Sequence, residues 1–194
     1  SARTGRTIGV APELKHPTYF AAIGLPMEDG FVAELERLGL TAADAPIIIQ
    51  CFEVGPLERL ATRIDAPLAQ LVAAKGGPAD RADVTYAQMI TPEGLKAIAA
   101  YADWVAPEMT LVLPRDAEGR TTAPSTLVAD AHAAGLKVVV WTLRAENAFL
   151  PVERRRGDDP AGHGDMAGYA AAFAATGVDA LFSDFPDLAR TTAP

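Results

Sequence analysis

The sequence predicts an α/β protein of the (β/α)8 TIM-barrel type, a single domain over residues 1–194 holding six of the eight strand–helix units. Three observations carry this. Short apolar runs alternate with amphipathic segments six times along the 194 residues. Two of the runs, Ile47–Ile49 and Val138–Val140, are unbroken β-branched triplets, which suits strands buried on both faces of a parallel sheet. The repeat is about 32 residues, against roughly 31 per unit in a barrel of about 250 residues. A doubly wound open sheet is the rival. It would carry a glycine-rich phosphate turn after its first strand, whereas here the first strand runs into Pro12-Glu-Leu-Lys15.

The expected strands, in order, are Thr7–Leu14, Pro46–Glu53, Leu68–Ala74, Trp104–Ala106, Leu136–Leu143 and Val178–Ser183. Helical spacing lies between them. Phe31, Leu35 and Leu38 share one face, and Gly39 ends that helix. Leu57, Leu60, Ala61 and Ile64 repeat the pattern after Gly55-Pro56. Thr91-Pro92-Glu93 supplies a capping hydroxyl, a first-turn proline and an acid at the positive end of the dipole, ahead of Leu95 and Ile98. Pro124 opens another helix, with Leu127, Val128 and Ala131 inward and Gly135 as its stop. The alanine-rich segment Asp165–Thr176 ends at Gly177. Two polar stretches, 114–122 and 152–166, read as loop insertions. The Arg154–Arg156 run within the second reads as a solvated loop, with a cationic rim for an anionic substrate as the alternative.

Composition narrows the function. The chain is 49% hydrophobic and carries a net charge of −8. It has enough apolar content for a packed core and too much negative charge for non-specific nucleic-acid binding. No apolar run is long enough to span a membrane. Cys51 is the one cysteine, so no disulfide framework exists, and a buried, inert thiol is expected there. The oligomeric state stays open.

In a barrel, chemistry sits at the C-terminal ends of the strands. Those ends supply Glu13 and Lys15, then Gln50, Phe52 and Glu53. Further along come Glu108, then Trp141, Thr142 and Arg144, and finally Ser183 and Asp184. Glu13 and Lys15 are two apart and so face the same way. They form either a salt pair or a carboxylate for a divalent cation beside a lysine for a phosphate. Of three histidines, His16 points to the opposite side of the strand, His132 lies mid-helix and His163 lies in a loop.

The segment Ile8-Gly-Val-Ala-Pro-Glu-Leu-Lys-His-Pro17 resembles the third-strand signature of the glycerophosphodiester phosphodiesterases, and Thr18-Tyr-Phe and Gly24-Leu-Pro26 fit the bacterial branch. Ile48–Glu53, Gly135–Thr142 and Gly177–Pro186 resemble that family's fourth, seventh and eighth strands, in order. The resemblance implies hydrolysis of glycerophosphodiesters to glycerol 3-phosphate and an alcohol, with Ca²⁺ or Mg²⁺ as cofactor. It makes Glu13 a metal ligand and Lys15 the cation at the phosphate. Gln50 and Phe52 would line the substrate pocket, and Trp141 would pack on the glycerol. A small-molecule glycerophosphodiester is the implied partner, and a periplasmic or extracellular location is favoured. The family's His-Arg pair, its Glu-x-Asp metal ligands and a further histidine have no counterpart here. No catalytic acid–base residue is therefore identified. The chain is expected to be a fragment covering strands three to eight and inactive alone; the alternative is a non-catalytic relative that binds phosphate ligands.

Overall fold

A computed structural model describes residues 5–190. The chain forms two compact units, Ser1–Val105 and Ala106–Pro194. The first contains β1 (Glu13–Leu14), α1 (Pro17–Ala22), α2 (Glu28–Leu38), β2 (Ile49–Cys51), α3 (Val54–Ala61), β3 (Leu68–Val72), α4 (Tyr86–Met89) and α5 (Pro92–Ile98). Strand β4 (Trp104–Pro107) crosses the unit boundary. The second contains α6 (Met109–Val112), α7 (Leu127–Ala133), β5 (Lys137–Leu143), a 3-10 turn (Val152–Arg154), α8 (Met166–Ala174), β6 (Ala180–Ser183) and α9 (Pro186–Ala189). Among the described residues no helix is long and apolar enough to cross a membrane.

Strand order follows chain order, β1-β2-β3 in the first unit and β4-β5-β6 in the second. The β1–β2, β2–β3 and β5–β6 pairs are parallel. This α/β, strictly sequential arrangement is the expected one. A doubly wound sheet would reverse its order.

The first strand is shorter than its apolar pattern. Regular pairing covers only Glu13–Leu14, and Val10 meets Ile47 in an isolated bridge. Pro12 explains the gap. Its carbonyl accepts from the Gln50 N–H at 2.9 Å, but it has no N–H to return. Val10 still makes both its bonds, to the Pro46 carbonyl and from the Ile48 N–H, each at 3.0 Å. Strand β3 is buried at all five residues, including Gln70, whose amide donates to the Phe52 and Leu71 carbonyls at 3.1 and 3.0 Å. The first unit's core is built on Ile49, Leu57, Leu60 and Leu95, and the second's on Val138, Val140, Leu143 and Phe173.

Two of the expected helix ends carry the expected caps, and one expected start is displaced. Gly39 closes α2 in the left-handed region (φ 67°), where a side chain would be strained. The Thr91 hydroxyl accepts from the Gly94 N–H at 3.1 Å. Helix α7 begins at Leu127, three residues after Pro124; the Ser125 hydroxyl donates to the Leu111 carbonyl at 2.6 Å and accepts from the Leu127 N–H at 3.4 Å. Four helices of six residues or fewer, α1, α4, α6 and α9, were not in the sequence pattern.

All three members of the Arg154–Arg156 run make structural contacts, Arg155 donating from Nε to the Leu150 carbonyl at 3.1 Å. Asp165 caps α8 by accepting from the Gly168 N–H at 3.1 Å, and it pairs with Arg154 at 2.7 Å and Arg156 at 3.5 Å. The Arg154 hydrogen bond, above all, holds its carboxyl below the usual range. Asp165→Ala is expected to cost about 1 kcal/mol at neutral pH. A carboxyl lowered on folding stabilises only while ionised, and that contribution is lost as pH falls through the lowered value. Urea unfolding of the variant and wild type should therefore differ at pH 7, with the gap narrowing as the pH is taken below the ordinary aspartate range. A gap of unchanged size there would be inconsistent with this role.

Candidate active site

In the first unit, the end of β1 opens into a cavity of about 270 Å³ lined by Glu13, Lys15, His16, Phe52, Glu53 and Tyr86, among others. The Lys15 ammonium stands 3.8 Å from the Glu13 carboxylate, with the lysine side chain 69% exposed and the glutamate 27%. The same-face geometry of the two residues thus holds, and the pair stands at a cavity wall. Glu53 is almost fully buried, and its carboxylate accepts from the Thr18 N–H at 3.0 Å, tying the start of α1 to the end of β2. Phe52 meets Tyr86 edge to face at 6.1 Å. Burial pushes the Tyr86 hydroxyl up to about 12.

Two residues sit differently from their strand pattern. His16 lines the cavity with Glu13 and Lys15 instead of facing away. Alternation ends at Leu14, and His16 adopts a left-handed conformation (φ 53°, ψ 45°) that turns the chain into α1. Gln50 stands opposite Glu13 in the ladder, but it is buried and donates its amide to the Ala11 carbonyl at 3.2 Å. It is not among the residues lining this cavity.

The second unit has its own cavity, about 330 Å³, whose lining includes Glu108, Thr110, Arg115, Trp141, Arg144 and Phe149. The Trp141 indole N–H donates to the Ala106 carbonyl at 2.7 Å, which fixes the ring at the wall. Arg144 pairs with Asp184 at 2.8 Å and lies over the Phe149 ring, 4.6 Å from its centre. Glu108 accepts from the Thr110 hydroxyl at 3.0 Å. Four residues read from strand ends, Glu108, Trp141, Thr142 and Arg144, therefore share one cavity. Arg115 was missed because it lies in a stretch whose only sequence signal is polarity.

The other histidines have packing roles. His132 bonds to Asp179 at 3.0 Å, and His163 meets Phe185 edge to face at 4.9 Å. For Asp179, burial pushes the carboxyl up, but the Val138 N–H and the His132 ring outweigh it, so the net shift is downward.

A divalent cation of the Ca²⁺ or Mg²⁺ kind needs several oxygen ligands. Among the described residues no three His, Cys, Asp or Glu side chains group as a metal site, and Glu13 has an ammonium for a neighbour. These residues do not by themselves fit a metal centre. Calorimetric titration of the chain with either cation is expected to show no saturable binding tighter than about 1 mM. A site in the micromolar range would contradict this.

Comparison with known proteins identifies the family of the chain. The profile of the glycerophosphoryl diester phosphodiesterase family matches residues 6–188. A glycerophosphodiester phosphodiesterase of Arabidopsis thaliana is 30% identical over 192 residues, covering 93% of this chain and 50% of that protein. One of Treponema pallidum is 25% identical over 200 residues, covering 95% and 53%. The chain thus spans about half the length of the curated relatives it matches. Among solved structures, a protein of Silicibacter pomeroyi described as a glycerophosphoryl diester phosphodiesterase superposes with a TM-score of 0.60 at 21% identity, over 95% of this chain and 50% of that one. A glycerophosphodiester phosphodiesterase of Parabacteroides distasonis gives 0.55 at 14% identity, over 98% and 59%. The shared fold and the match along almost the whole sequence place this chain in the glycerophosphoryl diester phosphodiesterase family.

Proposed function

We propose that these residues serve the hydrolysis of glycerophosphodiesters to glycerol 3-phosphate and an alcohol. The observation that carries this is the Glu13–Lys15 pair at a cavity wall within a chain whose family match runs from residue 6 to 188. In the reaction, water attacks phosphorus, the bond from phosphorus to the alcohol oxygen breaks, and that oxygen takes a proton. Negative charge gathers on the phosphoryl oxygens, and a fixed ammonium such as that of Lys15 stabilises it. Phe52 gives the same cavity an apolar wall, while Trp141, anchored to the Ala106 carbonyl, lines the second unit's own cavity. Glu13 would contribute one carboxylate ligand to a Ca²⁺ or Mg²⁺ ion, which needs several further oxygen ligands to be held. In an eight-unit barrel, the six strands here would be the third to the eighth.

The proton-transfer step is the weak point of the chain on its own. The sequence holds three histidines, two of them in packing contacts, and no counterpart of the family's His-Arg pair. We therefore expect the 194 residues alone to bind the phosphodiester and not turn it over. The test is release of glycerol 3-phosphate from glycerophosphodiesters with Ca²⁺ or Mg²⁺, alongside calorimetric binding of glycerol 3-phosphate. Binding without release supports the reading. Turnover by the chain alone would show that His16 or another group supplies the proton, and absence of both would sink the assignment. Binding without turnover also in longer forms of the protein would favour the second reading, a phosphate-ligand-binding relative.

A further inference from the structure

The cavity at the end of β1 holds a buried acid that the fold only half uses. Glu53 lines it and is 3% exposed. It occupies the N-cap position of α3 but makes no cap there. That role falls to Asp80, which accepts from the Val54 N–H at 3.1 Å and the Gly55 N–H at 2.6 Å. Among the described residues no cation pairs with Glu53, and the nearby Lys15 ammonium goes to Glu13. One oxygen, Oε2, accepts from the Thr18 N–H. The other, Oε1, has no donor among the described residues and is not sealed away from solvent. The cavity is the space it borders.

Taking a carboxylate out of water with no cation beside it is unfavourable, and a donor supplied by a ligand offsets that cost. A carboxylate only accepts hydrogen bonds. It repels phosphoryl oxygens and suits a neutral hydroxyl. Depth separates the two kinds of contact. The Lys15 side chain is 69% exposed and stands toward solvent, whereas Glu53 lies within the wall. A ligand with its phosphoryl group outward and its hydroxyls inward meets the cation and the acid each with its complement. The Phe52 and Tyr86 rings in the same lining offer apolar surface to the C–H bonds of such a ligand.

We propose that Glu53 reads the glycerol hydroxyls, so that the first unit's cavity selects a phosphate ester bearing a vicinal diol over one bearing a plain alkyl chain. The proposal rests on the glycerophosphodiester reading above and uses residues of one unit alone. Its test separates the two.

The chain is titrated calorimetrically in EDTA with glycerol 3-phosphate, n-propyl phosphate and inorganic phosphate. The two esters share a three-carbon chain on phosphate and differ only in the hydroxyls. Glycerol 3-phosphate is expected to bind about tenfold more tightly or better, the scale of one hydrogen bond to a charged group. Glu53→Ala should bring the ratio close to one. Glu53→Gln keeps an oxygen for the Thr18 N–H and should lower the ratio by about fivefold, so it carries the test if the alanine variant does not fold. The ratio is the readout, because a loosened start of α1 would weaken both esters alike. Lys15→Met should weaken all three probes and leave the ratio in place. Equal ester affinities in the wild type, or a wild-type ratio in either Glu53 variant, would overturn the role of Glu53 and leave the phosphodiester reading intact. Inorganic phosphate bound with neither ester bound would overturn the phosphodiester reading beneath it. Failure of all three probes to bind would overturn both.

Discussion

Lys15→Met is expected to lower kcat on glycerophosphodiesters by about 100-fold or more, measured in a form of the protein that turns them over, with no loss of stability. The two halves of this result have separate grounds. The Lys15 side chain is 69% exposed, and its one ion pair spans 3.8 Å. Exposed pairs of this kind contribute between 0 and about 1 kcal/mol, and methionine keeps a similar stem. Nothing in the fold depends on the ammonium. The phosphoryl oxygens are another matter, because a positioned charge beside developing negative charge acts on the transition state more than on the bound substrate. The expected signature is a fall in kcat with an unchanged urea midpoint. Near-wild-type kcat would remove Lys15 from the site, and a large loss of stability would make it a structural residue.

Phe173→Ala is expected to act in the opposite way, costing about 3–5 kcal/mol of stability. Phe173 is fully buried on α8 and meets Tyr169 edge to face at 4.9 Å. Removing the ring leaves a void that the backbone of a helix cannot close. The loss should also reach Arg115, since Tyr169 anchors that guanidinium. Urea unfolding reads the effect on stability. A cost below about 1 kcal/mol would mean that the site collapses around the cavity and that α8 is less tightly packed than its burial indicates.

The parts of this structure that were legible in the sequence are those where one physical signal dominates. Val138–Val140 lies inside β5 because three β-branched residues in a row suit a doubly buried strand. Gly39 and Thr91 mark helix ends because their backbone and side-chain chemistry suits little else. The elements that escaped are short. Helix α4 has four residues, too few for a period, and it is held by a reciprocal cap in which Thr85 and Gln88 satisfy each other's N–H groups at 3.3 and 2.8 Å. The first strand was read too long because Ile8 and Val10 fit the pattern while Pro12 interrupts the pairing.

The site was legible to the same degree. Glu13 and Lys15 follow from period-two alternation and stand together. His16 does not follow, because the alternation stops one residue earlier than the rule assumes and a left-handed turn redirects the side chain. Arg115 carries no local signal. Its place is set by the Tyr169 hydroxyl, 54 positions away, to which it donates. That long-range contact is invisible to any window of neighbouring residues.

The thiol of Cys51 has a practical consequence. Its sulfur is fully buried, with its S–H donated to the Leu14 carbonyl at 3.2 Å, and burial pushes it up to about 12. Maleimides and other thiol reagents attack the thiolate, so the native chain should stay unlabelled at neutral pH. With 1 cysteine in the whole sequence, any cysteine introduced on the surface becomes the sole reactive handle. Spin labels or fluorophores can then be placed pairwise on the two units, and the distance between them can be followed as a ligand binds, without first removing a native residue.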